Sequence, residues 1–204
     1  MEYSLLFAIT LFAFVMSVTP GPNNMMLLAS GAQFGYRRTL PHIFGIILGV
    51  AFLLASVLLG LGFVFERYPL LYDLLKGLGS AYLLWLAWKI AAAPTDESSF
   101  TREHNKQNAA PMKLLSASFF QFINPKAWAM AIGSVSTFTL AGEEYFESGL
   151  WIMAAFALMG FIAISLWTYL GVAIRQLLTT PARKRSFNWV MGGMTASTLI
   201  FILF

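Results

Sequence analysis

Thr19-Pro20-Gly21-Pro22-Asn23-Asn24 lies in the middle of the first long hydrophobic segment of the chain. Pro20 and Pro22 lack an N–H group, so a helix running through them would leave the carbonyls of Met16 and Val18 without their usual partners. Because lipid offers no hydrogen bonds, such a break is tolerated in a membrane only where protein covers it or where it lines a wet cavity. One proline alone would favour a packing kink, whereas two prolines followed by two asparagines favour a binding site near the membrane midplane.

The composition is typical of an integral membrane protein. Hydrophobic residues make up 58% of the 204 residues and charged residues only 11%, far from the average of soluble proteins. The chain contains no cysteine, which excludes a disulfide framework, thiol catalysis and a thiolate metal site. The net charge of +4 does not indicate nucleic-acid binding, because the basic residues lie in short loops between apolar segments.

Six apolar segments are long enough to cross a bilayer. They cover residues 5–32, 40–65, 74–92, 114–140, 149–174 and 187–204. The first has no basic region before it and no small-residue cleavage site after it, so it is interpreted as a retained span and not as a signal peptide. The predicted fold is therefore an all-α membrane protein with six transmembrane helices.

The charged loops predict the orientation of the spans. Basic residues concentrate in every second loop: Arg37 and Arg38, then Lys89, Arg102, Lys106 and Lys113, then Arg175, Arg183, Lys184 and Arg185. The opposite loops hold Arg67, Lys76 and the acids Glu143, Glu144 and Glu147. Because basic loops stay in the cytoplasm, both termini are predicted on the outer side, which in a bacterium is the periplasm.

A polar linker divides the chain into two halves. Residues 93–112 separate a first group of three spans (1–92) from a second group (113–204). With an odd number of spans in each, the halves are antiparallel, so a shared fold would be an inverted repeat. Span four carries its own polar break, Gln121-Phe122-Ile123-Asn124-Pro125-Lys126, at the corresponding position, and matched interruptions indicate a binding site between the halves. His104 in the linker is expected to be solvated.

Lys126 is the one charged residue placed deep inside a predicted span. At 1.5 Å per residue it lies about 18 Å into span four. The alternative, in which Lys126 has no functional role, is snorkelling, where the long side-chain stem carries the ammonium to the membrane interface. The depth argues against it and indicates a functional charge that faces the interior of the bundle.

The two breaks together offer groups that suit an α-amino acid. Pro125 frees the carbonyl of Gln121, and Asn124 adds an amide. A substrate carboxylate would suit Lys126 and the positive N-terminus of the half-helix after Pro22, and a substrate ammonium would suit the carbonyls that the prolines free. The candidate substrate-binding residues are Pro20, Gly21, Pro22, Asn23, Asn24, Gln121, Asn124, Pro125 and Lys126.

No carboxylate lies in the middle of a predicted span, although proton-coupled carriers usually have one there. If protons are coupled to transport, the candidates are Lys126 and the substrate itself. His42 is a weaker candidate, because it lies at the start of span two and is expected to be interfacial and structural. Small residues predict helix contacts: Gly45 and Gly49 in a GxxxG pair, then Gly60, Gly62, Gly77 and Gly79.

These motifs resemble those of the LysE/RhtB family of bacterial amino-acid exporters, over essentially the whole chain. The residues that carry the resemblance are Thr19-Pro20-Gly21-Pro22-Asn23, Gly79-Ser80-Ala81-Tyr82-Leu83-Leu84-Trp85-Leu86-Ala87-Trp88-Lys89 and Asn124-Pro125-Lys126. The run 85–91 followed by Pro94-Thr95 is similar to the branch that exports cysteine and O-acetylserine. The resemblance implies a multi-pass inner-membrane protein that exports small amino acids or their derivatives, of the cysteine/O-acetylserine or homoserine/threonine type, by proton antiport with alternating access.

The predicted spans lack the residues that other classes of function require. An intramembrane enzyme would need a nucleophile with a base, paired acids or metal ligands, and a metal-ion exporter would need Asp, Glu, His or Cys facing the pore. The spans contain neither set, so no enzyme, cofactor or metal is predicted. A channel, or an exporter of another small solute or ion, stays open as the alternative. The predicted partners are an amino acid, protons and membrane lipid, not nucleic acid, and a homodimer is left open.

Overall fold

The computed structural model describes residues 3–93 and 110–200, and this part of the chain is helical apart from short connections. A π-helical turn, Val57–Leu61, joins α3 to α4, and a 3₁₀ turn, Gly142–Glu144, precedes α8. His104 and most of the predicted linker lie outside the described residues. The helices are α1 (Tyr3–Val18), α2 (Pro22–Phe34), α3 (Tyr36–Ser56), α4 (Gly62–Arg67), α5 (Pro69–Ala91), α6 (Leu114–Ile123), α7 (Pro125–Phe138), α8 (Tyr145–Arg175) and α9 (Pro181–Ser197).

Two helical stretches of the described chain are long and apolar enough to cross a membrane on their own, Tyr36–Phe65 and Gly142–Arg175. The pair α1 and α2 would form a third span, bent by 60° at its break. The other predicted spans coincide with α5, with α6 and α7, and with α9, which do not reach the same length and hydropathy. The all-helical prediction is confirmed, and the six-span arrangement stays a prediction.

The last helix begins earlier than its hydropathy predicts. α9 starts at Pro181, so Arg183, Lys184 and Arg185, predicted in the preceding loop, lie within the helix. Proline is favoured at the first helical position, and the Thr180 hydroxyl caps the helix by accepting a hydrogen bond from the Arg183 N–H (3.3 Å). Hydropathy marks the apolar part of a helix, whereas capping decides where the helix begins.

Both predicted polar breaks are present. α1 ends at Val18 and α2 begins at Pro22, with Gly21 in extended conformation (φ −171°) immediately before it. The second break is shorter, since Asn124 alone separates α6 from α7. The prolines therefore interrupt the helical ladder where their missing N–H groups require it.

Helices from the two halves of the chain pack against each other. α2 and α1 lie against α8, α3 lies against α6, and α5 lies against α9. In the α3–α6 contact, a Cβ at Gly45 would lie 2.4 Å from the Leu114 carbonyl oxygen, and one at Gly49 would lie 2.5 Å from that of Ser118. The prediction that this GxxxG pair makes a helix contact is confirmed.

The other small positions divide into two kinds. Gly79 is a contact position, because a Cβ there would lie 2.4 Å from the Ile123 carbonyl oxygen beside the second break. The prediction is wrong for Gly77 within the described residues, because no atom of another helix there lies within 4 Å of its Cβ position. It is also wrong for Gly60 and Gly62, which meet only their own segment. Gly60 has instead a conformational role, with φ +105° in the π-helical turn.

Gly60→Ala is expected to destabilise the protein by about 1–2 kcal/mol, because an L-residue is strained at a positive φ. Gly62→Ala is the matched control, since Gly62 has φ −59° and a Cβ there would meet the Val57 side chain at an ordinary 3.5 Å. The control is expected to be neutral or slightly stabilising. Thermal unfolding in one detergent measures the difference, and equal Tm values for the two variants would contradict the assigned strain.

The largest buried apolar cluster is built from α1, α3, α7 and α8. Ile9, Leu53, Ala127 and Ile152 are among its fully buried members. Because the cluster draws on both halves of the chain, it holds α1 and α7 against the two long helices. The residues around both breaks are positioned by this packing.

Candidate functional site

The two polar breaks lie against each other. Asn23 donates from Nδ2 to Gln121 Oε1 (2.8 Å), and Gln121 donates from Nε2 back to Asn23 Oδ1 (3.2 Å). Gln121 is fully buried and also donates to the Ala117 carbonyl of its own helix (2.9 Å). This reciprocal amide pair is satisfied only while the two breaks keep their register, so it ties the start of α2 to the end of α6.

The Lys126 ammonium reaches from the second break to the first. It donates to the Thr19 carbonyl oxygen (2.8 Å), to the Thr19 hydroxyl (2.9 Å) and to the Pro20 carbonyl oxygen (3.2 Å). These three oxygens, here called the oxygen cage, match the three N–H donors of an ammonium. The side chain turns into the first break, where protein oxygens bind its ammonium, and this argues against the snorkelling alternative.

Gly21 leaves the space that the Lys126 side chain occupies. A Cβ at Gly21 would lie 2.9 Å from Lys126 Cδ and 3.0 Å from Lys126 Nζ. The extended backbone of Gly21 (φ −171°) is open to any residue. The close approach of the lysine, and not the backbone angle, is therefore what requires glycine here.

The carbonyls that the prolines release have partners inside the protein. The prediction that they are orphaned is wrong, because donors that only the folded chain brings near bind to them. Thr19, noted in the sequence only as part of the motif, and Trp167 from α8 are two of the donor residues. The pairs are Thr19 Oγ1 to Met16 O (3.0 Å), Trp167 Nε1 to Val18 O (3.0 Å) and Asn124 N to Gln121 O (3.2 Å).

Two buried asparagines brace the breaks. Asn24 donates from Nδ2 to the carbonyls of Ser17 (2.9 Å) and Thr19 (2.7 Å). Asn124 accepts at Oδ1 from the Lys126 N–H (3.2 Å) and so caps α7. Both side chains are therefore committed to holding the backbone of the breaks.

The two half-helices differ at their N-termini. α7 is capped by Asn124, whereas α2 begins at Pro22 with no side-chain cap. The first backbone hydrogen bond into α2 runs from the Met25 N–H to the Gly21 carbonyl (3.1 Å). The N–H groups that precede it lie outside the helical ladder. Together with the positive end of the helix dipole, they favour an anion at this end of α2.

A cavity adjoins both breaks, and water-sized molecules can occupy about 40 Å³ of it. This is room for about three water molecules and not for an amino acid. Of the predicted site residues, Pro20 is exposed and Gln121 and Pro125 are buried outside the cavity wall. Those that line the cavity are Gly21, Pro22, Asn23, Asn24, Asn124 and Lys126.

The rest of the cavity wall is mainly apolar and was missed by the sequence analysis. It comes from α1, α3, α7 and α8, which no shared motif marks. The only signal for these residues is the packing of the helices, which the sequence does not display. They are Met16, Ser17, Ile46, Ile47, Val50, Ala127, Met130, Phe156, Gly160 and Ile164.

Lys126 is the titratable residue among those that line the cavity. His42, expected at the membrane interface, is buried in α3, and neither of its ring nitrogens has a hydrogen-bond partner within the described part of the chain. His42 lies one helical turn from Ile46 of the cavity wall but does not line the cavity itself. Among residues 3–93 and 110–200, no group of three or more His, Asp or Glu side chains is arranged to hold a metal ion.

Residues 14–204, which include both breaks and the cavity wall, match the LysE type translocator family. The chain belongs to this family. LysE proteins are transporters and not enzymes, and the predicted resemblance to the family is confirmed. The cavity between the breaks is thus a cavity inside a membrane translocator.

Characterised relatives of this LysE-family chain include cysteine/O-acetylserine efflux proteins. The one from Escherichia coli strain K12 is 29% identical over 186 residues, which is 90% of this chain and 91% of the relative. The one from Shigella flexneri is 29% identical over 182 residues, or 88% of this chain and 89% of the relative. The relationship is distant but extends over nearly the full length. No solved structure shows a significant match to the chain.

Proposed function

We propose that this LysE-family protein exports small amino acids or their derivatives across a bacterial inner membrane, with cysteine and O-acetylserine as the first candidates. Transport proceeds by alternating access, in exchange for protons, with the substrate held between the two polar breaks. The observation that carries the proposal is the meeting of the breaks, through Asn23 with Gln121 and Lys126 with Thr19, beside a cavity. Paired interruptions of this kind expose backbone groups to a substrate within the membrane.

The first break carries complementary groups for both ends of an α-amino acid. The uncapped N–H groups and the dipole at the start of α2 suit a carboxylate. The oxygens of Thr19 and Pro20 suit an ammonium, because they bind that of Lys126. Since the two charged groups of an α-amino acid share one carbon, their binding groups must be close together, and residues 19–24 carry both sets.

The pattern of helix packing supports an inverted repeat of two three-span halves, 1–92 and 113–204. If α1 corresponds to α6 and α3 to α8, the contact of α1 with α8 corresponds to that of α3 with α6, and both contacts are present. In the same correspondence α5 matches α9, so exchanging the two halves maps the α5–α9 contact onto itself. In this arrangement the halves rock about the site and open it to one side at a time. The distribution of the basic residues supports a periplasmic position for both termini.

Uptake into inside-out membrane vesicles tests the function. With an imposed proton gradient, vesicles containing the protein are expected to accumulate O-acetylserine or cysteine above the outside concentration, and vesicles without it are not. Homoserine, threonine, leucine and lysine complete the panel. Collapse of the gradient with a protonophore is expected to release the accumulated substrate.

The same experiment separates the proposal from a channel or from an exporter of another small solute. A channel equilibrates its solute and cannot concentrate it, so uptake that stops at equal concentrations would support a channel. No uptake of any compound in the panel, by protein shown to be folded and membrane-inserted, would contradict amino-acid export.

A further inference from the structure

We propose, building on the amino-acid export proposed above, that the oxygen cage is the binding site for the ammonium of the substrate. Lys126 occupies this site in the empty transporter and leaves it as a neutral amine when substrate binds. The proton that Lys126 gives up is the one exchanged for the substrate. Lys126, which was expected from the sequence to bind the substrate carboxylate, would instead compete with the substrate ammonium for the oxygens of the cage.

The oxygen cage has the chemistry of a site for a primary ammonium. Its three oxygens lie 2.8–3.2 Å from Lys126 Nζ, so every N–H of the ammonium has an acceptor. The ammonium of an α-amino acid is also a primary ammonium with three N–H donors, and it would make the same three bonds. Lys126 therefore has no N–H left to donate to a substrate carboxylate while it stays in the cage.

Two ammonium groups cannot occupy the cage together. Lys126 fills the space beside Gly21 so closely that a single methyl group there would lie 2.9 Å from its side chain. Two like charges a few ångströms apart would also repel each other. Binding of the substrate ammonium thus requires Lys126 to move away and favours its neutral form.

Lys126 is the titratable residue among the described residues that line the cavity. The described residues that face it across the cavity from α1, α2, α3 and α8 include Ser17, Asn23, Asn24, Ile46 and Phe156, and none of the lining residues besides Lys126 titrates. His42 on α3 is the nearest buried titratable residue identified, and it lies outside the wall. The competition therefore assigns the proton to Lys126.

The exchange balances as one proton for one substrate. On the side where substrate binds, Lys126–NH₃⁺ loses H⁺ to water and the zwitterionic amino acid takes the cage. On the other side the amino acid leaves, and Lys126–NH₂ takes up H⁺ and returns to the cage. The substrate carries no net charge, so each cycle moves one positive charge in the direction opposite to the substrate, and transport is expected to respond to membrane potential.

Proteoliposomes with purified protein test this assignment in two assays. Exchange of labelled for unlabelled O-acetylserine requires only substrate binding, whereas accumulation driven by a proton gradient also requires coupling. Lys126→Met keeps most of the length of the side chain and removes its charge, so it is expected to retain exchange and to lose gradient-driven accumulation. Lys113→Met, at an exposed lysine outside the cavity, is expected to retain both.

Proton release from the wild-type protein provides a test that needs no variant. Binding of O-acetylserine to the purified transporter is expected to release about one proton per substrate, seen as a dependence of the calorimetric heat on the ionisation enthalpy of the buffer. N-acetylserine has no ammonium and is expected neither to bind nor to release protons. Binding without proton release would overturn the proposal even if Lys126→Met failed to fold.

The remaining outcomes distinguish the proposal from the function it builds on. Lys126→Met that is folded but has lost exchange would show that the lysine contacts the substrate, and would overturn the competition. Accumulation that survives in Lys126→Met and is lost in His42→Leu would show that His42, and not Lys126, carries the exchanged proton. This result would also overturn the proposal. Wild-type protein without exchange of any amino acid would instead refute the proposed function.

Discussion

Gly171→Ala is expected to destabilise the folded protein by about 3 kcal/mol or more, because α2 and α8 touch backbone to backbone at this residue. A Cβ at Gly171 would lie 2.1 Å from the Leu28 carbonyl oxygen and 2.9 Å from the Ala32 nitrogen. At the neighbouring contact, a Cβ at Gly31 would lie 2.2 Å from the Thr168 carbonyl oxygen. Since the obstacles are backbone atoms, no side-chain rotation relieves them, and the helices must separate.

The separation of these helices would spread to the site. α2 begins at the first break, so moving it away from α8 moves Asn23 relative to Gln121 and weakens their amide pair. Overpacking a buried contact costs about 1–3 kcal/mol and occasionally more, and an obstacle made of backbone on a packed helix places this substitution at the upper end. The expected result is little monodisperse protein after detergent extraction and a lowered Tm for what remains.

Gly193→Ala is the matched control for this substitution. Gly193 lies in α9, and in the part of the chain that the structure describes no atom of another helix lies within 4 Å of its Cβ position. Alanine there is expected to stabilise the helix by up to about 1 kcal/mol. If Gly171→Ala proved as stable as Gly193→Ala, the close α2–α8 contact would not exist in the folded protein.

The positions of the breaks could be predicted because proline acts locally. Pro22 and Pro125 each begin a new helix, and the rule that predicts this needs only a missing N–H and the residues four positions earlier. The pairing of the breaks was also anticipated, from their corresponding positions in the two halves that the sequence predicts to be antiparallel. Local chemistry and the predicted count of spans led to both expectations.

The partners across the breaks could not be predicted in the same way. Lys126 and Thr19 are 107 positions apart, and Trp167 and Val18 are 149 apart, so no local pattern connects them. From the sequence, Lys126 was a candidate site residue whose ammonium was assigned to a substrate carboxylate, whereas in the structure the ammonium binds backbone and hydroxyl oxygens. The apolar cavity wall could not be predicted for the same reason. Its residues share no local pattern and are brought together only by the packing of the helices.

Asn23→Leu and Gln121→Met are each expected to destabilise the protein by about 1–3 kcal/mol, because each leaves the partner amide without the hydrogen bonds of the pair. The larger effect is expected for Asn23→Leu, since Gln121 is 0% exposed and water cannot replace its lost partner, whereas Asn23 lines the cavity. The double variant has no unsatisfied amide pair and is expected to be more stable than the sum of the single effects predicts. Asn124 also donates a long hydrogen bond to Gln121 Oε1 (3.5 Å). Gln121→Met removes this bond whether residue 23 is Asn or Leu, so its contribution cancels when the single and double variants are compared.

Transport is expected to fail in all three variants. The contrast between recovered stability and lost transport in the double variant separates a structural role of the pair from a role in substrate binding. If the Asn23–Gln121 pair only held the helices together, an apolar pair that restored stability would also restore uptake of O-acetylserine. Asn23 lines the cavity at the start of α2, where the proposed site binds the substrate carboxylate, so leucine there would remove a polar group and narrow the cavity. Recovered stability with uptake below about a tenth of wild type is the expected result. Recovery of both would place the substrate elsewhere in the bundle.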